Sequence, residues 1–394
     1  MWYKRLLKTK IESAAKNFPA VLLTGARQTG KTSLLKKMFP SHTYVTLDTP
    51  AVAMLAKEDP SGFIHRFKPP LLIDEVQYAP ELFRHLKVEI DKNRHNMGNF
   101  ILTGSQQFNL MKHVGDSLAG RIAIFALQPF CTKEISQHQT VANNIESYIT
   151  LMIRGGFPEL WRNTLIAHEL FFSSYLSTYL ERDVRQILNI SSLRNFERFL
   201  RICATMSGQL FNKTAVANAV GISIPTVTAW LSILEASNQI VLLEPWYSNM
   251  GKRIVKSPKL YFSDTGMLCY LLGISPENII QSPFIGAIWE NFIFNEIKKQ
   301  LTAKSSPETI WFYRDKNQLE VDFIIAGGGK GTVLECKWNE YPDKKDAKGI
   351  KKLISLIKKS SPAELQTVKG QIISRTPVTF KLDTDIEVTN IFEF

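Results

Sequence analysis

The chain is poor in cysteine and has no long apolar run. Its four cysteines, Cys131, Cys203, Cys269 and Cys336, lie far apart. This spacing argues against a zinc site and a disulfide framework, and favours a reducing compartment. No apolar run is long enough to cross a bilayer, and the first residues lack the apolar core of a signal peptide. We therefore expect a cytoplasmic protein without a membrane partner.

A concentrated basic tail is also missing. The net charge is +12, from 48 basic and 36 acidic residues, and most of the excess falls within residues 1–150. A net positive charge is typical of proteins that bind nucleic acid, but basic residues dispersed along the chain support such binding only weakly. The length of 394 residues and the apolar content of 44% predict two or three folded domains.

Residues 25–32 match the pattern of a phosphate-binding loop, with two glycines four residues apart followed by lysine and threonine. An apolar run at 20–23 predicts a buried strand before it, and a helix is expected after it. Backbone N–H groups and the helix start would bind phosphates, Lys31 would reach the β- and γ-phosphates, and Thr32 would bind Mg²⁺. The predicted nucleotide-binding residues are Gly25, Ala26, Arg27, Gln28, Thr29, Gly30, Lys31, Thr32, Ser33 and Asp74. Arg27 is expected to face solvent.

A second apolar run, 71–73, ends in the acidic pair Asp74 and Glu75. Asp74, at the carboxyl end of a predicted strand, is expected to complete the Mg²⁺ site with Thr32. Glu75 is expected to orient or deprotonate the attacking water. Another strand, from 100 onward, ends in polar residues, so Ser105 or Thr103 could sense the γ-phosphate; the alternative is an ordinary turn.

Arg121 follows a glycine and is a candidate arginine finger. It would stabilise transition-state charge on its own chain or on a neighbouring subunit. The alternative is a surface arginine without a catalytic function.

The middle of the chain has helical periodicity. A break at 155–159 precedes a predicted helix over about 165–188. Residues 213–220 and 224–237 predict a helix-turn-helix in which Ser223 caps the second helix. The inward positions are expected to be Val227, Trp230, Leu231 and Leu234, and the outward ones Thr226, Thr228, Ala229, Ser232 and Ile233.

None of these outward residues is basic, which is unusual for a helix that reads the major groove. DNA binding and a purely structural function both stay open for this segment. The basic run at 251–259 could be a wing that contacts phosphates or a solvated hairpin.

The last third predicts a helix, three strands, a helix and a strand. Glu290 lies on the first helix, Asp322 on the second strand, and Glu335 and Lys337 on one face of the third. This order resembles the core of the PD-(D/E)XK nuclease superfamily. Two carboxylates could hold Mg²⁺ and a lysine could steady the nucleophile. The alternative is a degenerate domain that does not cut.

The chain as a whole resembles a group of prokaryotic AAA-type ATPases that end in a winged-helix and a nuclease-like domain of unassigned role. The resemblance covers nearly the full chain and rests on residues 23–32, 72–77, 102–105, 117–121, 155–159, 256–266, 320–322 and 335–337. It implies an α/β fold with a parallel P-loop sheet, and bound ATP with Mg²⁺. The expected domains are 1–150 (ATPase), 151–210 (helical), 211–283 (winged helix) and 284–394 (nuclease-like).

Two functional hypotheses follow. In the first, an AAA-type ATPase uses its C-terminal half to bind or process nucleic acid in a nucleotide-dependent way. In the second, the protein is a nucleotide-gated switch whose C-terminal half binds a protein partner and does not cut. AAA-type proteins often assemble, so a homo-oligomer is an open expectation.

Overall fold

The computed structural model describes residues 2–105, 117–180, 193–246, 256–304, 307–360 and 365–394. They form two compact units, residues 1–130 with 233–239, and residues 131–232 with 240–394. Among the described residues no single helix is long and apolar enough to cross a membrane, although the bent pair 213–220 and 224–236 passes on length and composition together.

A five-stranded sheet, entirely parallel, forms the centre of the first unit, and its strand order is β2-β3-β4-β1-β5. Such a sheet is the core expected of a P-loop ATPase. Strands β1, β3 and β4 confirm those predicted at 20–23, at 71–73 and from 100 onward, whereas β5 was not predicted. The strands are β1 (Ala20–Thr24), β2 (Thr43–Thr46), β3 (Leu71–Asp74), β4 (Phe100–Thr103) and β5 (Ile122–Ala126).

Helices cover both faces of this sheet, which explains why its central strands are apolar without alternation. On β1, Ala20 and Leu22 belong to the core on one face, and Val21 and Leu23 to the core on the other. The helices of this unit are α1 (Lys8–Asn17), α2 (Lys31–Met38), α3 (Pro50–Glu58), α4 (Pro60–Arg66) and α5 (Leu82–Lys92), and a 3₁₀ turn spans Val76–Tyr78.

The second unit begins with helices and a two-stranded antiparallel sheet. The predicted helix over about 165–188 is observed as α9 in its first part, while residues 181–188 of that prediction lie outside the described residues. The elements of this stretch of chain are α6 (Thr132–Ile135), α7 (Ile145–Arg154), α8 (Pro158–Arg162), α9 (His168–Tyr179), α10 (Leu193–Thr205), α11 (Lys213–Val220), α12 (Ile224–Ala236), β6 (Ile240–Leu243), β7 (Lys259–Phe262) and α13 (Thr265–Leu272). The last four residues of α12, 233–236, are grouped with the first unit.

The two helices of the predicted helix-turn-helix meet at 104°. The Ser223 hydroxyl accepts a hydrogen bond from the Thr226 N–H, as expected of a cap. All four residues expected to point inward are buried, and the outward prediction was wrong only for Ile233, which is 7% exposed. Residues 251–255 of the basic run lie outside the described part of the chain.

Two sequence motifs that are far apart in the chain meet in this unit. The buried carboxylate of Asp264 accepts hydrogen bonds from the N–H groups of Gly156 (2.7 Å) and Met267 (3.1 Å). A Cβ on Gly155 would lie 2.1 Å from the same carboxylate. Gly155 is therefore a structural requirement of the helical region.

A six-stranded mixed sheet completes the second unit, in the order β12-β13-β11-β10-β9-β8. Strand β10 is antiparallel to β9 and parallel to β11. The predicted order of helix, three strands, helix and strand is observed, with two further strands at the end. The elements are α14 (Ile285–Ala303), β8 (Thr309–Arg314), β9 (Glu320–Gly327), β10 (Lys330–Cys336), α15 (Lys348–Ser360), β11 (Thr367–Ile373), β12 (Phe380–Asp383) and β13 (Ile386–Thr389).

The N-terminal stretch of the first compact unit ends at Phe130, before the expected boundary at 150. The short helix α6 accounts for the difference, because its first N–H is held by the second unit. The buried carboxylate of Glu296 accepts from the Thr132 N–H at 3.1 and 3.0 Å. The segment that follows the first sheet therefore packs as part of the second unit.

Candidate functional site

The loop between β1 and α2 has a backbone that only glycine adopts without strain at two positions. Gly25 has φ +136° and Gly30 has φ +88°. A Cβ on Gly25 would lie 2.3 Å from the Leu127 carbonyl oxygen, so any side chain there would displace the loop. The glycine spacing seen in the sequence thus corresponds to a tight turn that leads into the start of α2.

Lys31, the first residue of α2, lies back over this loop. Its Nζ donates to the carbonyl oxygens of Gly25 (3.0 Å) and Ala26 (2.9 Å), and the residue is only 6% exposed. The Thr29 hydroxyl donates to the same Ala26 carbonyl. An ammonium group is therefore held at the loop, where phosphate oxygens would replace its carbonyl partners.

The other loop residues differ in exposure. Gln28 has φ +60° and is exposed, as is Ser33, whereas Arg27 is half-buried. Contacts of these three residues with a nucleotide stay predictions.

Arg5 braces the loop from the N-terminal segment, and sequence reasoning missed it. Its guanidinium donates to the carbonyl oxygens of Thr29 (2.9 Å) and Gln128 (2.5 Å), and lies 4.8 Å from the centroid of the Phe130 ring. Arg5 is 7% exposed. The contacts join residues 24 and 123 positions apart, so no local pattern could have indicated them.

Asp74, at the end of β3, accepts hydrogen bonds from three hydroxyl groups. Thr32 donates at 2.8 Å, Tyr44 at 2.9 Å, and Thr103 through a short bond. Burial, with the charge of Asp74, raises the pKa of Tyr44 to about 12. The structure therefore joins Thr32 to Asp74, the two residues predicted to bind Mg²⁺.

Glu75 has a left-handed backbone, φ +57° and ψ +47°, which is costly for a residue with a side chain. Its N–H donates to the Thr103 hydroxyl at 3.1 Å. Its Oε2 accepts from the Gln77 amide and from the Ser105 hydroxyl, the latter at 3.3 Å. Both candidate sensors thus contact the acidic pair, Thr103 through Asp74 and the backbone, and Ser105 through Glu75.

This donor set fits Mg²⁺ and a phosphate chain. Asp74 and Thr32 offer the hard oxygen ligands that Mg²⁺ prefers. The N-terminus of α2 and the Lys31 ammonium lie at the same loop, which is the arrangement that binds phosphate at a helix start.

Arg121 lies at the opposite end of the sheet. It directly precedes β5, and its carbonyl accepts from the N–H of Ala20, the first residue of β1. Five residues of strand, about 16 Å, separate it from the phosphate loop. Its guanidinium pairs with Asp91, 2.7 Å from Oδ1 and 3.0 Å from Oδ2. The structure does not bring Arg121 to the phosphates of its own chain.

A second set of acidic and basic residues lies in the second unit, around Lys259. This lysine, 1% exposed, has its Nζ 3.2 Å from Glu290 Oε1 and 2.8 Å from Glu320 Oε1. Tyr261 donates to the same Glu290 oxygen at 2.5 Å. Burial alone would lower the pKa of Lys259, but Glu290, Asp322 and Glu320 outweigh it and raise the pKa. No pattern in the sequence indicates that Lys259 joins this cluster.

Asp322, Glu335 and Lys337 meet as predicted. Asp322 accepts from the Cys336 N–H at 2.8 Å, and Lys337 Nζ lies 3.4 Å from Glu335 Oε2. Burial, and then the charge of Asp322, raises the pKa of Glu335. The neighbouring residues Val321 and Phe323 are fully buried.

The predicted second metal site is not assembled in this arrangement. Glu290 is ion-paired with Lys259, and Glu335 with Lys337. Within the described ranges, no group of three or more His, Cys, Asp and Glu side chains is arranged to hold a metal ion. Lys259 and Lys337 thus pair with two of the three predicted carboxylates, Glu290 and Glu335, whereas Asp322 accepts from the Cys336 N–H, and cation binding there stays a prediction.

Three family models match the chain in succession. A model described as an AAA domain matches residues 17–136. Two models of domains of unknown function, DUF8612 and DUF4143, match residues 145–278 and 285–391.

Two similar proteins are Uncharacterized protein Rv2008c of Mycobacterium tuberculosis and Uncharacterized protein Mb2031c of Mycobacterium bovis. Each is 30% identical over 351 residues, which are 86% of this chain and 75% of the relative.

Among solved structures, a Walker-type ATPase of Pyrococcus abyssi is similar at 17% identity and a TM-score of 0.44, over 67% of this chain and 94% of the other. A point variant of RuvB from Thermotoga maritima is similar at 16% identity and a TM-score of 0.32, over 60% and 88%. AMPPCP-bound DnaA from Aquifex aeolicus is similar at 13% identity and a TM-score of 0.30, over 58% and 86%.

Proposed function

Because this chain belongs to the same family as the two mycobacterial proteins and carries an AAA-type P-loop domain, we propose that it binds ATP with Mg²⁺ and hydrolyses it. The observation that carries the proposal is the hydrogen bond of 2.8 Å from Thr32 to Asp74. It joins the start of the phosphate-loop helix to the end of a neighbouring strand, where a triphosphate would need both residues.

Each residue of the site has a separate task in this proposal. The loop N–H groups and Lys31 bind the β- and γ-phosphates, and Thr32 and Asp74 hold the cation. When bound, Mg²⁺ neutralises phosphate charge. Glu75 takes a proton from the attacking water. Ser105 senses the γ-phosphate, a role supported by its hydrogen bond to Glu75.

Arg121 is proposed to act only on the nucleotide of a neighbouring chain. Its distance from the phosphate loop along β1 and β5 argues against contact within one chain. Such an action requires a homo-oligomer and release of Arg121 from Asp91.

For the C-terminal half we propose nucleotide-dependent binding rather than cutting. The favouring observation is Lys259, whose ammonium group already pairs with Glu290 and Glu320. Nucleic acid is one partner, supported by the 104° angle between α11 and α12. A protein is the alternative partner, favoured by the exposed residues of α12, none of which is basic.

The Glu75→Gln variant tests the proposed hydrolysis. Removal of the carboxylate should lower the ATP turnover number by about 10²–10⁴-fold, the usual contribution of a general base. ATP affinity, measured by calorimetry with Mg²⁺, should change less than about threefold, because Glu75 is not proposed to bind the phosphates. An undiminished rate would remove Glu75 from the mechanism, and a wild-type protein without Mg²⁺-dependent ATP affinity would refute the proposal.

The same ATP-trapped variant tests the C-terminal half. It should retain DNA or a protein partner more strongly than the nucleotide-free protein does, and leave labelled DNA intact with Mg²⁺ or Mn²⁺. DNA cleavage that disappears in Asp322→Ala would instead support the nuclease hypothesis.

A further inference from the structure

Gln77 lies two residues after Glu75, in the 3₁₀ turn Val76–Tyr78, and bonds to its carboxylate. The Nε2 group donates one hydrogen bond to Glu75 Oε2 and another to Ser105 Oγ, the latter at 3.2 Å. The Ser105 hydroxyl donates in turn to Glu75 Oε2. Both amide hydrogens and the hydroxyl hydrogen are thus directed within one three-residue network.

Two acceptor oxygens of this network are left over. Gln77 Oε1 is buried and, across the part of the chain that the structure describes, has no hydrogen-bond partner. Hydrogen bonds from described residues reach Oε2 of Glu75, and none reaches its Oε1. A buried amide oxygen without a donor is costly, and such atoms deserve a functional explanation.

The orientation of the Gln77 amide follows from its partners. If oxygen and nitrogen exchanged places, an amide oxygen would face the Glu75 carboxylate, and two acceptors would repel each other. The carboxylate therefore fixes Nε2 toward Glu75 and leaves Oε1 pointing elsewhere. Glu75, the other residue of the pair, is held by its left-handed backbone and by the hydrogen bond from its N–H to the Thr103 hydroxyl.

We propose that Gln77 holds the attacking water together with Glu75, each accepting one of its two protons at Oε1. This inference rests on the proposed ATP hydrolysis and adds a water-holding residue to it. With both protons engaged, a lone pair of the water is directed at the γ-phosphorus.

The reaction balances with these groups alone. The water oxygen bonds to the γ-phosphorus as the bond to the β–γ bridging oxygen breaks, and that electron pair stays on ADP. One water proton passes to Glu75 Oε1 and leaves with the phosphate product. Gln77 exchanges no proton and keeps its bonds to Glu75 Oε2 and Ser105.

Gln77→Leu is the primary test, because leucine keeps the approximate volume and removes both amide groups. The turnover number should fall by about 10²-fold or more, as for other preorganised hydrogen-bonding groups. The Mg²⁺-ATP dissociation constant should change less than about threefold, so the loss lies in kcat rather than in binding. Gln281→Leu, the same change at an exposed position, is the matched control and should keep the wild-type rate.

Gln77→Glu provides a second readout that a packing effect would not move. A carboxylate beside Glu75 Oε2 should raise the pKa of the pair, since like charges share a proton. The acid limb of the kcat–pH profile should therefore move to higher pH by about one unit or more.

The outcomes separate this inference from the proposed function. Full turnover in Gln77→Leu, or an unmoved acid limb in Gln77→Glu, with an active wild type, would overturn the inference and leave ATP hydrolysis standing. A wild-type protein that does not hydrolyse ATP would overturn both.

Discussion

The phosphate-loop site and the Lys259 cluster are built from the same kinds of side chain, yet their charges are held differently. At the loop, Asp74 accepts from three hydroxyls and Glu75 from an amide and a hydroxyl. Within the described residues, neither carboxylate forms an ion pair. Around Lys259, the carboxylates of Glu290 and Glu320 pair directly with the ammonium group.

The two sites differ in whether their carboxylates are available to bind a cation. Hydroxyls orient a carboxylate and leave its negative charge uncompensated, so it can still attract a cation. A buried lysine compensates the charge, and the pair then stabilises only while both partners remain. A sequence that contains acidic residues and lysines is therefore compatible with a ligand site or with an internal ion pair. The partners of each carboxylate in the folded structure decide between the two.

The Lys31→Met variant should produce the largest change. Loss of the ammonium group should lower the affinity for Mg²⁺-ATP by about 10²-fold or more and reduce turnover to background. The free energy of unfolding should change little, because the two hydrogen bonds that Lys31 donates at the loop go to backbone carbonyl oxygens, which can accept from other donors. Calorimetry and urea unfolding measure the two effects. Retained ATP affinity would show that the loop is not the phosphate site.

Lys259→Met should show the reverse pattern. Removal of one partner from a buried ion pair costs about 3–5 kcal/mol of unfolding free energy, because Glu290 and Glu320 lose their counter-charge. Affinity for ATP should remain within about threefold of wild type. The double variant Lys259→Met/Glu290→Gln should recover part of the loss in urea unfolding. A single variant of wild-type stability would mean that the ion pair is not structural.

The pH dependence of stability should show a smaller effect of the same cluster. Burial raises the pKa of Glu290 from 4.5 to about 7, against the opposing charge of Lys259. The folded state then binds more protons than the unfolded chain between these values, so unfolding free energy falls as pH rises through the window. Wild type should lose about 1–3 kcal/mol there relative to Glu290→Gln.

Urea unfolding at pH 4.5 to 8 measures this difference. Parallel curves for the two proteins would contradict the raised pKa of Glu290. The raised pKa of Lys259 keeps its charge throughout this range, so the lysine does not contribute to the change.

Elements with a strong local pattern could be predicted from the sequence. The buried strands at 20–24 and 71–74 follow from apolar runs. Helices α11 and α12 follow from the helical spacing of their apolar residues and from the capping residue Ser223. Sequence could also place Asp322, Glu335 and Lys337 on one face, because strand side chains alternate. These predictions need only neighbours within one element or one hairpin.

Residues that act through distant contacts could not be predicted. Arg5, Tyr44 and Lys259 reach their partners across at least 24 positions of sequence, and nothing local distinguishes them from other residues. Arg121 shows the converse case, since the sequence pattern could not tell that it lies at the end of the sheet away from the phosphate loop of its own chain. Gln77 was visible as part of a motif, but its unpaired oxygen appears only in three dimensions.

The guanidinium of Arg5 has a practical consequence for anyone dissecting this protein. The AAA-domain model starts at residue 17, yet a fragment trimmed to that start would lose the buried clamp on Thr29 and Gln128. Its glycine turn would then depend on the remaining contacts of the loop alone. The contacts that brace the loop thus extend upstream of the family model, and expression fragments should include Arg5.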